Sequence, residues 1–185
     1  MKKSDIKELM GSAIKNVKIV NVYFRFSCYY YNRIPLAQND KLFITVNEDD
    51  FILNGYSIYR FKDVTKVTIK NDKCDEILKS EGITSSIVFP KVDISNWNTV
   101  FESLKHMNKN VTIEKETVEG KNDDIYIGRI EKIYKKFAYI WEFDADGRWY
   151  DKPTRILYSE ITKITFDNRY VEVFSKYIEN PPFNE

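Results

Sequence analysis

The feature that most restricts what this chain can fold into is an internal echo. Val64-Thr65-Lys66-Val67-Thr68 lies over Ile161-Thr162-Lys163-Ile164-Thr165, and Asn71 over Asn168. One extra residue then restores the match of Glu76 to Glu172. A β-branched run, a polar break and a helical pattern, written twice, predict one architecture used twice. The length of 185 residues suits one large or two small domains. Two units of about 80–90 residues are each near the lower limit for an independent core, so the halves are expected to lean on each other.

Residue spacing fills in both halves. Ile6, Leu9, Met10, Ala13 and Ile14 mark one face of a helix, with Ser4 or Asp5 as its cap and Asn16 as its stop. Residues 17–26, 41–46, 51–61 and 64–69 carry the β-branched and aromatic types of strands. Asn47-Glu48-Asp49-Asp50 reads as a hairpin turn, and Asn54-Gly55 as a turn or a bulge. Cys74, Ile77 and Leu78 fall at helical spacing, and Gly82 can end that helix. The first unit is thus residues 1–83. Residues 84–92, without period and containing Pro90, form a linker, and the second unit is residues 93–185.

The second unit opens on a helix capped by Asp93 or Ser95, with Trp97, Val100, Phe101, Leu104 and Met107 as its buried stripe. Strands are expected at residues 111–116, 125–134, 137–143, 149–158 and 161–166. Tyr170, Val173, Phe174, Tyr177 and Ile178 predict a closing helix before a tail at residues 180–185 with Pro181-Pro182. Short hairpin-joined strands without crossover helices predict a mainly β chain with helices (α+β), built as two small barrel units rather than one parallel sheet.

Charge and composition exclude several classes. The chain carries 29 basic and 28 acidic residues; residues 1–90 have 14 and 11, residues 91–185 have 15 and 17. Neither half has the overall basic excess of a phosphate-tracking surface. The aromatic content of 15% argues against disorder. Met1-Lys2-Lys3-Ser4-Asp5 is not followed by the apolar core of a signal peptide, and no run approaches the roughly 20 apolar residues that span a bilayer. Cys28 and Cys74 form no CxxC pair and are expected as buried free thiols in a reducing cytoplasm.

No catalytic or cofactor constellation stands out. His106, the only histidine, falls about 180° round its helix from the apolar stripe at 100° per residue, which predicts an exposed residue. A zinc site lacks its usual ligands, and a catalytic triad would need that one histidine. Asp144-x-Asp146-Gly147 has its glycine too early for a calcium loop and reads as a hairpin turn. Glu114, Glu116, Glu119, Asp123 and Asp124 form an acidic patch interspersed with Lys115 and Lys121, the mark of a solvated edge. The phosphate-binding glycine motifs are absent.

The aromatic cluster is the richest candidate. Tyr23, Phe24, Phe26, Tyr29, Tyr30 and Tyr31 are mixed with Arg25 and Arg33, and Arg148, Trp149, Tyr150 and Arg155 repeat the mixture on a smaller scale. Such residues can fill a barrel interior, anchor a protein interface or stack bases of a single strand. The candidate partner-binding residues are Arg25, Tyr29, Tyr30, Tyr31, Arg33, Arg148, Trp149 and Tyr150.

Asp93-Ile94-Ser95-Asn96-Trp97, Asn54-Gly55-Tyr56, Glu81-Gly82, Asp146-Gly147-Arg148-Trp149 and Asn168-Arg169-Tyr170 follow one another in an order that resembles an uncharacterised family of low-GC Gram-positive bacteria (Firmicutes). That family is similar to two tandem Sm-like, SH3-type barrels, and the resemblance covers nearly the whole chain. It implies the fold and edge-to-edge joining of barrels, and it carries over no established activity. Bacterial Sm-like RNA chaperones carry a Tyr/Phe-Lys-His triplet before the last strand. Here Phe61-Lys62-Asp63 and Tyr158-Ser159-Glu160 put a carboxylate where that pattern has a uridine-facing donor. The expected function is therefore a cytoplasmic, non-enzymatic interaction module that binds a protein partner through an aromatic surface. The alternative is a weak binder of RNA or single-stranded nucleic acid. Neither requires a cofactor or a membrane.

Overall fold

The computed structural model describes residues 1–181; of the expected tail, Pro182 onwards lies outside the described residues. Helix α1 (Lys3–Asn16) precedes β1 (Val20–Phe24), β2 (Tyr30–Gln38), β3 (Leu42–Asp49), β4 (Ile52–Arg60) and, after a 3-10 turn (Phe61–Asp63), β5 (Val64–Ile69). Helix α2 (Lys73–Ser80) and a 3-10 turn (Thr84–Ser86) lead to α3 (Trp97–His106). Then come β6 (Asn110–Lys115), β7 (Asp124–Ile133), β8 (Phe137–Glu142), β9 (Thr154–Leu157), β10 (Lys163–Phe166) and α4 (Arg169–Phe174).

All these strands form one open antiparallel sheet in the order β5-β1-β2-β3-β4-β10-β6-β7-β8-β9. The chain is thus α+β and mainly β, and the sheet runs through both halves without closing. Within each half the order is the same: last strand, first, second, third, fourth. The halves meet where β4 pairs with β10, Tyr56 to Tyr59 against Phe166 to Lys163. A buried bond between the Ser57 and Thr165 hydroxyls, 2.9 Å long, crosses that joint.

Two apolar clusters lie on opposite faces of the first half. Ile6, Met10 and Ala13 of α1 pack on Val20, Val22, Phe24, Phe43, Tyr59 and Phe61. Ile34, Ile44 and Ile58 face the other way, into a cluster shared with α3 (Val100, Phe101, Leu104) and the second-half strands (Ile113, Ile140, Ile164). Strand β3 is therefore covered on both faces, and Leu42 to Glu48 are buried without alternation, Thr45, Asn47 and Glu48 included.

Several local expectations need correction. Strand β2 was not anticipated from periodicity because Pro35 interrupts it. Pro35 is tolerated because the register slips there, between Pro35 and Ala37, in a bulge. The strand expected at residues 149–158 shortens to Thr154–Leu157, with Trp149 outside it and joined to Phe143 by an isolated bridge. Lys2, not Ser4 or Asp5, stands at the cap position of α1; Ser4 turns its hydroxyl to Asp5 instead. In α4 the buried residue is Val171, while Tyr170, Val173 and Tyr177 are exposed, so the expected stripe is out of phase. Cys28 is exposed in the β1–β2 turn and Cys74 half-buried at the start of α2, so neither is a core thiol.

The cap of α3 is Asn96 rather than Asp93 or Ser95. Its side chain accepts from the Asn98 and Thr99 amides, and Thr99 Oγ1 accepts from the Asn96 amide, a reciprocal capping box. Asp93 instead ties down Ser95 through its amide and hydroxyl. Asn96→Ala is expected to cost about 1 kcal/mol, read as a lower urea midpoint at unchanged slope, with a smaller loss for Ser95→Ala.

Candidate functional site

Strand alternation decides the fate of the aromatic cluster. Successive residues of a strand point to opposite faces, so the run Tyr29-Tyr30-Tyr31 cannot form one surface. Tyr31 turns inward, edge-on to Phe24 with ring centres 5.8 Å apart, and Arg33 stacks on it at 5.0 Å. Tyr30 turns the other way and meets Tyr23 across the β1–β2 pair at 5.5 Å. Tyr29, ahead of β2, is 77% exposed and Tyr30 51%.

Arg33 is a correction: it is buried, and its Nε donates to the Tyr59 hydroxyl at 2.9 Å. A guanidinium in that position closes the inner cluster and is out of a partner's reach. Of the second mixture, Arg155 lies in β9 with its guanidinium over the Phe137 ring. Arg148, Trp149 and Tyr150 lie in the β8–β9 connection, on the far side of five strands of the sheet order from β2. There Arg148 and Tyr150 are exposed, while Trp149 is half-buried against Phe143 and donates Nε1–H to the Glu179 carbonyl. Asp144 behaves as a turn residue: its Oδ1 accepts from the Asp146 and Arg148 amides.

A different site assembles at the joint between the halves, with a cavity of about 450 Å³. Asp40 and Lys41 come from the β2–β3 turn, Leu42 from the start of β3, Arg60 from the end of β4 and Lys62 from the 3-10 turn after it. Asn96, Trp97 and Asn98 form the start of α3, Lys135 comes from the β7–β8 turn, and Tyr158 and Ser159 from the β9–β10 connection. Leu42, Trp97 and Tyr158 are buried and make an apolar wall. Tyr158 leans on Phe101, ring centres 5.1 Å apart. Four cations converge with one carboxylate, Asp40, which stands 3.1 Å from Lys7. The start of a helix adds its own positive pole.

The carboxylate that distinguishes Phe61-Lys62-Asp63 from the Sm-like triplet does not face this cavity. Asp63 is fully buried. Its Oδ2 accepts from Arg60 Nε at 2.5 Å, and Arg25 Nε stands 3.0 Å from its Oδ1. Arg60 continues across the joint to donate to the Ser159 carbonyl at 2.8 Å. The acid therefore holds two cations in place, and its charge is met by Arg60 and Arg25. Lys62 records the local crowding: burial lowers its pKa first, Arg60 and Arg25 lower it further, and Asp63 opposes them.

Sequence pattern had pointed to the tyrosines rather than this cavity because its cations are scattered over residues 41–135. The motifs that touch it are Phe61-Lys62-Asp63, Tyr158-Ser159-Glu160 and the Asp93–Trp97 landmark, which supply Lys62, Tyr158, Ser159, Asn96 and Trp97 to its lining. Among the described residues no group of three or more His, Cys, Asp or Glu side chains is placed to hold a metal ion. No helix of the described residues is long and apolar enough to cross a membrane.

The acidic patch divides. Glu114 pairs with the largely buried Lys163 at 2.7 Å, and Lys115 with Asp124 at 3.4 Å. Burial drives the Glu116 carboxyl up to about 7, with Glu114 and Asp123 pushing the same way and Lys163 and Thr162 opposing. A carboxyl raised on folding favours the folded state while protonated, so its contribution is present below the unfolded value and is lost as pH rises through about 7. Partial exposure screens the effect. Glu116→Gln is expected to match the parent in Tm at pH 5 and exceed it at pH 8. A Tm difference that does not change with pH rules this out.

No family model, curated protein or solved structure matches the chain.

Proposed function

We propose that the chain is a non-enzymatic binding module, two Sm-like barrel units joined edge to edge, which holds single-stranded nucleic acid in the cavity between them. The observation that carries this is the convergence of Lys41, Arg60, Lys62 and Lys135 around an apolar wall, with one carboxylate in the lining. Lysines and arginine suit phosphate, and an apolar wall beside them suits a base. The volume falls in the range of about 300–1,000 Å³ typical of small-ligand sites. The unit reading is supported by the identical strand order of the halves and by register slips at Pro35/Ala37 and Ile130/Lys132, which bend the second strand of each half. A cytoplasmic setting and kinship with the Firmicutes family belong to the same reading.

The test is fluorescence anisotropy with oligo(U) and single-stranded DNA between 50 and 200 mM salt. Affinity is expected to fall steeply with salt. Lys62→Ala and Lys135→Ala should each weaken binding for all sequences alike and flatten the log–log salt slope by about 0.7. Absence of salt-dependent binding by the parent chain overturns the reading.

The exposure of Tyr29 and Tyr30 favours a second reading, a protein partner docked on the β1–β2 turn. It predicts that a partner captured from the native cell is lost with Tyr29→Ala/Tyr30→Ala and retained with Lys62→Ala. The opposite pattern removes it.

A further inference from the structure

Asp63 lies between two guanidinium groups that differ in how firmly they are held. Arg60 is almost fully buried, hydrogen-bonded through Nε to Asp63 Oδ2 and fixed at its other end by the Ser159 carbonyl. Arg25, at the end of β1, has a side chain 49% exposed. Its Nε is 3.0 Å from Asp63 Oδ1, yet among the described residues that oxygen accepts no hydrogen bond. The contact is therefore an ion pair off the bonding direction, and the half-exposed Arg25 side chain presents a forked set of donors that a ligand can meet. The Arg25 backbone is itself pinned, its amide donating to the Asp63 carbonyl at 2.9 Å.

Lys62, which lines the cavity, and Lys3, on the far side of the 3-10 turn, lie within the field of Arg25: in each, burial lowers the pKa first and Arg25 adds to it while Asp63 opposes. Lys3 Nζ is occupied by the carbonyls of Phe61 and Val64. Positive charge thus continues from the cavity round the Phe61–Asp63 turn to Arg25, and one buried carboxylate is set against it.

We propose that Asp63 is a positioning residue for a two-phosphate clamp, with Arg60 and Lys62 holding one phosphate of a single strand in the cavity and Arg25 holding the next one outside it. This rests on the nucleic-acid reading above and extends it: the ligand is a chain of at least two nucleotides that leaves the cavity past the Phe61–Asp63 turn toward the β1–β2 turn, where Tyr29 is exposed. A guanidinium loosely paired to a carboxylate can pivot to a phosphate oxygen while keeping its anchor, and charge-assisted bonds of this kind are the strong ones.

The experiment compares UMP with oligo(U) of six nucleotides on the full chain. Arg25→Ala is expected to lower the ratio of oligo(U) to UMP affinity about tenfold, whereas Lys62→Ala lowers both affinities together. Arg25→Lys, which keeps the charge beside Asp63 but lacks the fork, is expected to fall between parent and Arg25→Ala, and guards against a folding defect. If the parent binds both ligands with Lys62 dependence but Arg25→Ala leaves the ratio unchanged, the clamp is refuted and the cavity reading stands. If the parent binds neither, both fail.

Discussion

Asp63→Asn is expected to destabilise the protein by about 3–5 kcal/mol, the cost of removing one partner from a buried ion pair. Asp63 is fully buried, and the Arg60 side chain is only 9% exposed. Asparagine keeps the size of the side chain but leaves the largely buried Arg60 charge without its counter-ion. Arg60 cannot escape by losing its proton. It also bonds to Ser159, so the loss extends across the joint between the halves. For a chain of this size a loss of that order lowers Tm by about 10 °C. Thermal unfolding followed by circular dichroism reads it directly; a shift below about 2 °C contradicts the account. By contrast, Arg25→Ala leaves Asp63 with Arg60, and a much smaller shift is expected.

Gly55→Ala should be comparably damaging, for a reason of shape. Gly55 has φ +70°, a left-handed conformation that costs an L-residue about 1–2 kcal/mol. A Cβ there would also lie 2.5 Å from the Phe166 carbonyl oxygen and from the Asn168 amide nitrogen. Both are backbone atoms, so no side chain can swing aside, and the β4–β10 joint must open. The Asn54 side chain, which accepts from the Arg169 amide at 2.9 Å, would be pulled off with it. A loss of about 3 kcal/mol or more is expected, in the class of backbone strain at a special conformation. Urea unfolding measures it, and Gly82→Ala is the control. Gly82 has the same φ but nothing within 4 Å of its Cβ position, so it isolates the conformational part.

The internal echo was legible because it lies in local pattern. The β-branched runs became β5 and β10, and the polar breaks after them became helix caps. The Asp72 side chain accepts from the Cys74 amide, and the Asn168 side chain accepts from the Val171 amide. The extra residue of the first copy therefore falls before Asp72, one position earlier than matching Asn71 to Asn168 implies. Strand β2 stayed hidden because Pro35 removes an amide and breaks the alternation, and only the neighbouring strand shows that a bulge absorbs it. The site was less legible still. Tyr29, Tyr30 and Tyr31 are consecutive in sequence, but which of them faces out depends on the phase of a strand that pattern did not reveal.

By itself the sequence determined the elements that rest on short-range physics: the α1 and α3 stripes, the turns at residues 135–136 and 144–148, the paired strand-plus-helix units and the exposure of His106. These follow from φ/ψ preference and from a repeat of 3.6 or 2, which act over a few residues. The turn expected at residues 47–50 falls instead at Asp50-Phe51, because β3 runs on through Asp49. Only the tertiary structure decided that the two halves share one sheet through β4 and β10, that Asp63 faces two arginines, and that Lys41, Arg60, Lys62 and Lys135 meet at one cavity. Those arrangements join residues up to about a hundred positions apart. Coulomb forces and packing act across space, and nothing in the local spacing of a cation records which other cations it will face once the chain has closed.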